Sequence, residues 1–168
     1  MKYFKKSTAA NSLRQQAERC GACQEGLDDW TKDKDGLCER YYRYIDFCIK
    51  HDFPAADFIK EQFAGVAERH GIFANSEFSV SNLSYLSPLG MSCGDARYDQ
   101  YGVGCIYLRH HAKLRLHVCD QAVVRVYLYD HALLEVSNTS KHPVYIYKYG
   151  GDVAGCENII IRDRERKE

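Results

Sequence analysis

The stretch HHAKLRLHVCDQAVVRVYLYDHALLEVS, residues 110–137, decides the fold because an alanine returns in it every ten residues. Ala112, Ala122 and Ala132 each follow a His or a Gln and precede alternating aliphatic and polar side chains. This alternation is typical of a β-strand with one buried face. Extended in both directions, the pattern gives rows that begin at Gly102, Ala112, Ala122, Ala132 and Pro143.

In these rows, aliphatic residues alternate with other side chains, and we expect the aliphatic ones to point into a core. The predicted core residues are Leu114, Leu116, Val118, Val124, Val126, Leu128, Leu134 and Val136. The intervening residues are expected to face outward, among them Arg115, Arg125, Tyr127 and Tyr129. The junctions CDQA and YDHA place an Asp where its side chain can close a turn.

Each row is long enough for one strand and a short turn, which leaves two arrangements open. In an antiparallel β-meander, each strand would pair with the next one along the chain. In a flattened β-solenoid, a coil would hold two strands and about twenty residues, so that His111 would lie above His131 at roughly 4.8 Å. The turns lack the Asn-Gly or Asp-Gly pair of tight hairpins, and their chemistry repeats. The sequence therefore favours the solenoid.

The first seventy residues have helical periodicity, and three apolar stripes predict three helices. The stripes are Leu13, Ala17 and Cys20, then Leu37, Tyr41, Tyr44 and Cys48, then Ile59, Phe63 and Val66. The second helix should end near Asp52, because Pro54 disfavours helical geometry in the residue before it. Pro54 can open the third helix, and Gly71 is a natural helix end.

These patterns predict an α+β fold in which an N-terminal helical bundle packs on a short C-terminal β-solenoid-like repeat. The predicted parts are a helical capping or interaction module over residues 1–71, a β-repeat module over residues 72–161 and a charged tail over residues 162–168. The apolar burial of a few rows does not clearly offset the entropy of ordering them. We therefore expect the helices, or a second copy of the chain, to cover the repeat.

Composition argues against several classes of protein. The 23 basic and 23 acidic side chains cancel, which removes the electrostatic basis for strong binding to nucleic acid or to a membrane surface. The sequence shows neither a membrane-spanning stretch nor a signal peptide, so we expect a cytoplasmic protein that does not bind membranes. The eight cysteines are then expected to be free and mostly buried.

The repeat, with RYIDFCIKHDFPAADFIKEQF at residues 43–63 and HGIF at residues 70–73, resembles small uncharacterised proteins of gut anaerobes and of their phages or mobile elements. The resemblance covers roughly residues 20–150 and is one of pattern. It implies a helical front and an alanine-led β-repeat. It implies no activity, catalytic residue or cofactor.

Two pairs of side chains have the chemistry of part of a metal site. Cys20 and Cys23 have the spacing of half a zinc site, although no second CxxC follows and Gly21 explains the spacing as a helix break. His111 and His131 hold the same place in their rows, so stacked imidazoles could bind a metal or titrate near neutral pH. The alternative is that both are solvated turn residues. We expect no cofactor, with these four residues as the metal candidates.

The main functional prediction is a rigid β-surface that presents Tyr127, Tyr129, Arg115 and Arg125 to a partner. Tyrosine offers a large contact area at low entropic cost, and both tyrosine and arginine are enriched at binding hot spots. The sequence therefore favours a non-enzymatic interaction or assembly protein that binds another protein or its own copy. No diagnostic catalytic motif is present, and no catalytic residue is assigned.

Two other functions stay open. A small DNA-associated regulator could use CIKHDFPAADFIKEQF, residues 48–63, as a helix-turn-helix, although its second helix is acidic. A metal- or carbohydrate-binding protein could use the His or Tyr columns of the repeat.

Overall fold

The computed structural model describes residues 8–155 and 157–164. The chain divides into two compact units, Met1–His70 and Gly71–Glu168. The first unit is helical and the second consists of β-strands.

The helical unit contains more and shorter helices than the three that the sequence predicts. They are α1 (Ala9–Arg19), α2 (Gln24–Asp28), α3 (Lys34–Arg43), α4 (Ile45–Lys50), α5 (Ala56–Gln62) and a 3-10 helix (Ala67–His70).

Local chemistry explains these shorter helices. The side chain of Cys23 accepts a hydrogen bond from the backbone of Gly26 and so begins α2, which the sequence analysis missed. Tyr44 leaves helical geometry and divides the predicted second helix into α3 and α4. Pro54 does not open α5, because Ala55 is the N-cap of that helix.

The second unit contains eleven strands in the described residues. They are β1 (Ile72–Ala74), β2 (Glu77–Ser81), β3 (Tyr85–Leu89), β4 (Cys93–Tyr98), β5 (Val103–Leu108), β6 (Lys113–Val118), β7 (Val123–Leu128), β8 (Leu133–Asn138), β9 (Val144–Lys148), β10 (Asp152–Ala154) and β11 (Ile159–Asp163). The last strand includes Arg162 and Asp163, which the sequence analysis assigned to the charged tail.

Strand pairing shows that the second unit is a parallel β-solenoid. Odd-numbered strands form one sheet in the order β1-β3-β5-β7-β9-β11, and even-numbered strands form the other in the order β10-β8-β6-β4-β2. Each strand pairs in parallel with the strand two places away, as in the register of Val103 with Val123 and of Lys113 with Leu133. The predicted solenoid with about twenty residues per coil is confirmed, and the alternative antiparallel meander is wrong.

The core lies between the two sheets. All eight predicted core residues are buried, and Leu116, Val126 and Leu128 have no exposed surface. Ala112, Ala122 and Ala132 are also fully buried, and each lies just before a strand begins. The ten-residue spacing is therefore half of one coil.

The corners of the coils are held by residues in the left-handed backbone region. Gln100, His110, Asp120 and Asp130 have φ between 52° and 60°. The Asp130 carboxylate accepts a hydrogen bond from the backbone of His110 one coil earlier, at 2.8 Å, and Asp120 accepts one from Gln100 in the same way. The junction aspartates therefore fasten the turn of the preceding coil. Asp tolerates the left-handed backbone region better than most residues, which explains why Asp recurs at these corners.

The solenoid begins with β1–β4, two coils before the row at Gly102 where the alanine pattern starts. Ser92 holds the alanine position ten residues before Gly102, and its buried hydroxyl lies 2.7 Å from the carbonyl of Leu89. In these early coils a large ring packs beside a glycine: Phe78 against Gly94, and Tyr98 against Gly104. These substitutions hide the repeat from a pattern that depends on small aliphatic residues. In the described part of the chain, no helix has the length and apolarity that crossing a membrane requires.

Candidate functional site

The outer surface of the odd-strand sheet carries stacked tyrosines. Tyr107, Tyr127 and Tyr147 lie on β5, β7 and β9, and their ring centroids are 5.1 Å apart at each step, with planes 10° and 14° from parallel. Tyr129 and Tyr149 form a second stack beside them, with centroids 4.9 Å apart. Burial raises the pKa of Tyr107, and a hydrogen bond with Cys105 raises it further, so the Tyr107 hydroxyl stays protonated. The stacks therefore form an ordered aromatic surface.

Two arginines, Arg125 and Arg162, lie beside these rings. A hydrogen bond with Tyr127 raises the pKa of Arg125, which keeps its full charge. The guanidinium carbon of Arg162 lies 5.9 Å from the centroid of the Tyr147 ring. The structure describes every outward position of β5, β7, β9 and β11, and none of them holds Asp or Glu. These positions are Val103, Cys105, Tyr107, Val123, Arg125, Tyr127, Tyr145, Tyr147, Ile160 and Arg162. We call these ten positions, with Tyr129 and Tyr149, the tyrosine face.

The even-strand sheet has a different chemistry. Arg115 lies on β6 and pairs with Asp95 of the preceding coil at 2.8 Å, and Glu135 of the next coil lies beside it in register. A shallow groove of about 610 Å³ follows this surface and also contains Lys113 and Asp152. Charges of both signs alternate here, so much of the local field is neutralised within the sheet.

The structure separates the four residues predicted to bind a partner. Tyr127, Tyr129 and Arg125 lie together on the tyrosine face, whereas Arg115 lies on the other sheet. Arg115 and Arg125 are ten residues apart, which is half a coil, so they face opposite directions. The sequence analysis missed Tyr107, Tyr147 and Arg162 as members of the surface. The twenty-residue spacing of Tyr107, Tyr127 and Tyr147 is the signal that could have identified the ladder.

The histidine pair lies at a corner of the solenoid. His111 and His131 are exposed, and their rings stack with centroids 5.2 Å apart, close to the predicted separation. In the neighbouring residue His110, Nδ1 accepts a hydrogen bond from the backbone N–H of Gly90 at 2.9 Å. Within residues 8–155 and 157–164, no group of three or more His, Cys, Asp or Glu side chains could hold a metal ion.

The cysteine pair lies in the helical unit. Cys20 is the C-cap of α1 and Cys23 is the N-cap of α2, with Gly21 at φ 81° between them. The CxxC spacing therefore marks a break between two helices. Of the seven cysteines that the structure describes, all are free, but only Cys38 and Cys48 are buried. The expectation of mostly buried thiols is wrong.

The geometry gives little support to the two other functions. A sugar stacks on the free face of an aromatic ring, but rings about 5 Å apart cover one another and present mainly edges and hydroxyls. The would-be recognition helix α5 has only seven residues and carries Asp57 and Glu61.

Comparisons of the chain with protein-family models, with curated proteins and with solved structures gave no match.

Proposed function

We propose that the chain is a non-enzymatic interaction protein whose tyrosine face binds an acidic surface of a protein partner. The observation that carries this proposal is the combination, on one sheet, of stacked, partly exposed tyrosines with Arg125 and Arg162, among outward strand positions that hold no Asp or Glu.

Preorganisation supports this function. A binding surface must lose side-chain entropy when it forms a complex, and tyrosine has few rotatable bonds to restrict. Here each ring of the ladder already stacks on the ring of a neighbouring coil, and the backbone beneath is a hydrogen-bonded sheet. Little further ordering is needed for binding.

Electrostatics supports an acidic partner. Arg125 and Arg162 contribute positive charge, and none of the outward strand positions of this face contributes negative charge. Two tyrosine faces would therefore repel each other, whereas carboxylates on another protein would complement the arginines. Arginine and tyrosine are also among the residues enriched at binding hot spots.

Site-specific photo-crosslinking in the cells that naturally make the chain tests the proposal. A photoreactive phenylalanine analogue would replace Tyr127 in one variant and Ser137 in the other. Ser137 is the control because it is exposed and lies on the even-strand sheet. We expect a discrete covalent adduct from position 127 and none from position 137. Equal adducts from both positions, or none from position 127, would refute the proposal.

The identified partner then allows a quantitative test with purified proteins. Arg125→Gln and Tyr127→Ser should each weaken binding by about tenfold or more, because hot-spot truncations commonly cost over 1 kcal/mol. Arg115→Gln removes the same charge from the opposite sheet and should change the affinity by less than about twofold. An equal loss in the two arginine variants would show that net charge, and not the tyrosine face, determines binding.

A further inference from the structure

The helical unit contains a partly open apolar cavity of about 100 Å³. Its walls come from α1, α2, α3 and α4 and from the segments beside α2. The lining includes the aromatic residues Trp30, Tyr41, Tyr44 and Phe47. This volume is about two thirds of that of an apolar pocket of about 150 Å³ that takes up benzene, and the partly open wall leaves room for a ring to extend outward.

Small residues create the space. Ala17, Ala22 and Gly26 line the cavity at positions where larger side chains would fill it. A Cβ added at Gly26 would lie 3.6 Å from the Cys23 sulfur and 3.8 Å from the Tyr44 ring, which are ordinary contact distances. Close backbone packing therefore does not require glycine there. The helical unit could close this space with a few methyl groups, yet its sequence leaves it open.

The polar groups at the wall are already paired with one another. The Arg40 guanidinium donates to the carbonyl and carboxylate of Asp29 and to the carbonyl of Gly36. The indole nitrogen of Trp30 donates to the carbonyl of Ala10 at 3.1 Å, and the Tyr44 hydroxyl donates to Asp29 at 3.3 Å. An ionic ligand would have to break these bonds, and ordered water would find few partners.

From this lining we infer that the helical unit binds a small uncharged ligand with one aromatic ring. Four aromatic side chains offer edge and face contacts to such a ring. The cavity opens to the surface on one side, so a substituent on the ring could extend outward.

Titration of the full chain with benzene tests the inference. Trp30 is the sole tryptophan of the sequence and lines the cavity, so its fluorescence reports occupancy directly. We expect a saturable change in fluorescence and a rise in melting temperature that grows with benzene concentration. Benzoate, which has the same ring and a charge, should bind at least tenfold more weakly. A non-saturable response to benzene, or equal binding of benzoate, would overturn the inference.

Variants locate the site. Ala17→Leu should fill the cavity and weaken benzene binding at least tenfold, while Ala64→Leu, at an exposed position, should leave binding unchanged. If circular dichroism shows that Ala17→Leu does not fold, Gly26→Leu provides the same occlusion from α2. Undiminished benzene binding in the folded occluded variant would place the ligand elsewhere and contradict the inference.

Discussion

At one corner of the solenoid the Tyr98 ring fills the space beside Gly104, so replacing both residues should cost less stability than the two single replacements added together. Tyr98 is fully buried, and a Cβ built on Gly104 would lie 2.3 Å from its ring. In the next coil, Val118 and Val124 occupy the two equivalent positions in register. The double variant Tyr98→Val/Gly104→Val would therefore give this corner the composition of its neighbour.

The magnitudes follow from the contacts. Gly104→Val alone overpacks the core and should cost about 1–3 kcal/mol of unfolding free energy. Tyr98→Val alone leaves a cavity and removes the hydrogen bond from its hydroxyl to the carbonyl of Leu83, 2.8 Å away, so we expect a cost of about 3–5 kcal/mol. The new valine should occupy part of the space that the ring leaves, so the double variant should lose at least about 1 kcal/mol less than the sum of the single losses.

Urea unfolding followed by far-UV circular dichroism measures this coupling. Tyr101→Val serves as the control, since Tyr101 is 83% exposed in the same turn and should combine additively with Gly104→Val. If the losses of Tyr98→Val and Gly104→Val add to within about 0.5 kcal/mol, the two positions do not share one packing site and the reasoning is wrong.

Three further predictions concern the corners, the thiols and the acid response. Asp130→Ala should destabilise the solenoid by about 1–3 kcal/mol, because it removes an acceptor and leaves a residue poorly suited to positive φ; Asp130→Asn, measured in the same urea series, should cost less. Maleimide should label exposed Cys23 and Cys93 rapidly at neutral pH but not Cys38, whose pKa burial raises to about 12; mass spectrometry showing equal labelling would contradict this. A hydrogen bond from His70, and to a smaller extent one from Arg69, lowers the pKa of Asp35 in the folded protein. The ionised Asp35 carboxylate therefore stabilises the fold fully above its unfolded pKa of 3.8, and this stabilisation is lost as pH falls through the lower pKa of the folded state. Asp35→Asn should therefore flatten the acid unfolding curve of the helical unit in Trp30 fluorescence, and an unchanged curve would exclude this role.

Periodicity was sufficient to predict the solenoid and its core. The alternation of Leu114, Leu116 and Val118 specifies which side is buried, and the repeated turns indicate that like residues stack. The early coils are harder to recognise in the sequence because Ser92 and Gly104 hold positions where later coils have alanine and valine. Tertiary contacts explain both residues. The Ser92 hydroxyl bonds to a neighbouring carbonyl, and the Tyr98 ring occupies the space beside Gly104 that a side chain would fill.

The candidate surface was predicted in part. The ten-residue spacing makes every row look equivalent, so the sequence pattern predicts Arg115 on the same surface as Tyr127, Tyr129 and Arg125, although alternate rows belong to different sheets. A coil of twenty residues already implies that Arg115 and Arg125 face opposite ways, so this error could have been avoided from the sequence. The cavity among the helices could not have been predicted, because it depends on how short helices of unpredicted number pack.

Stacking in a parallel solenoid explains why the two surfaces differ. Each side chain lies beside its counterparts from the coils before and after, about 4.8 Å away in the strand-pairing direction. Tyrosine tolerates an identical neighbour because its rings stack, whereas like charges side by side repel. The even-strand sheet accordingly alternates charge along one column, with Arg115 between Asp95 and Glu135.

On the tyrosine face, by contrast, Arg125 lies between Cys105 and Tyr145, neither of which is a charged partner in register. Its positive charge therefore meets neither repulsion nor neutralisation along its column. Glu135→Arg would place two arginines in register on the even-strand sheet and should destabilise the solenoid, while Arg125→Gln should leave its stability nearly unchanged. A charge that the fold does not need for its own stability remains available to a partner, which is why we assign Arg125 to binding and Arg115 to the sheet.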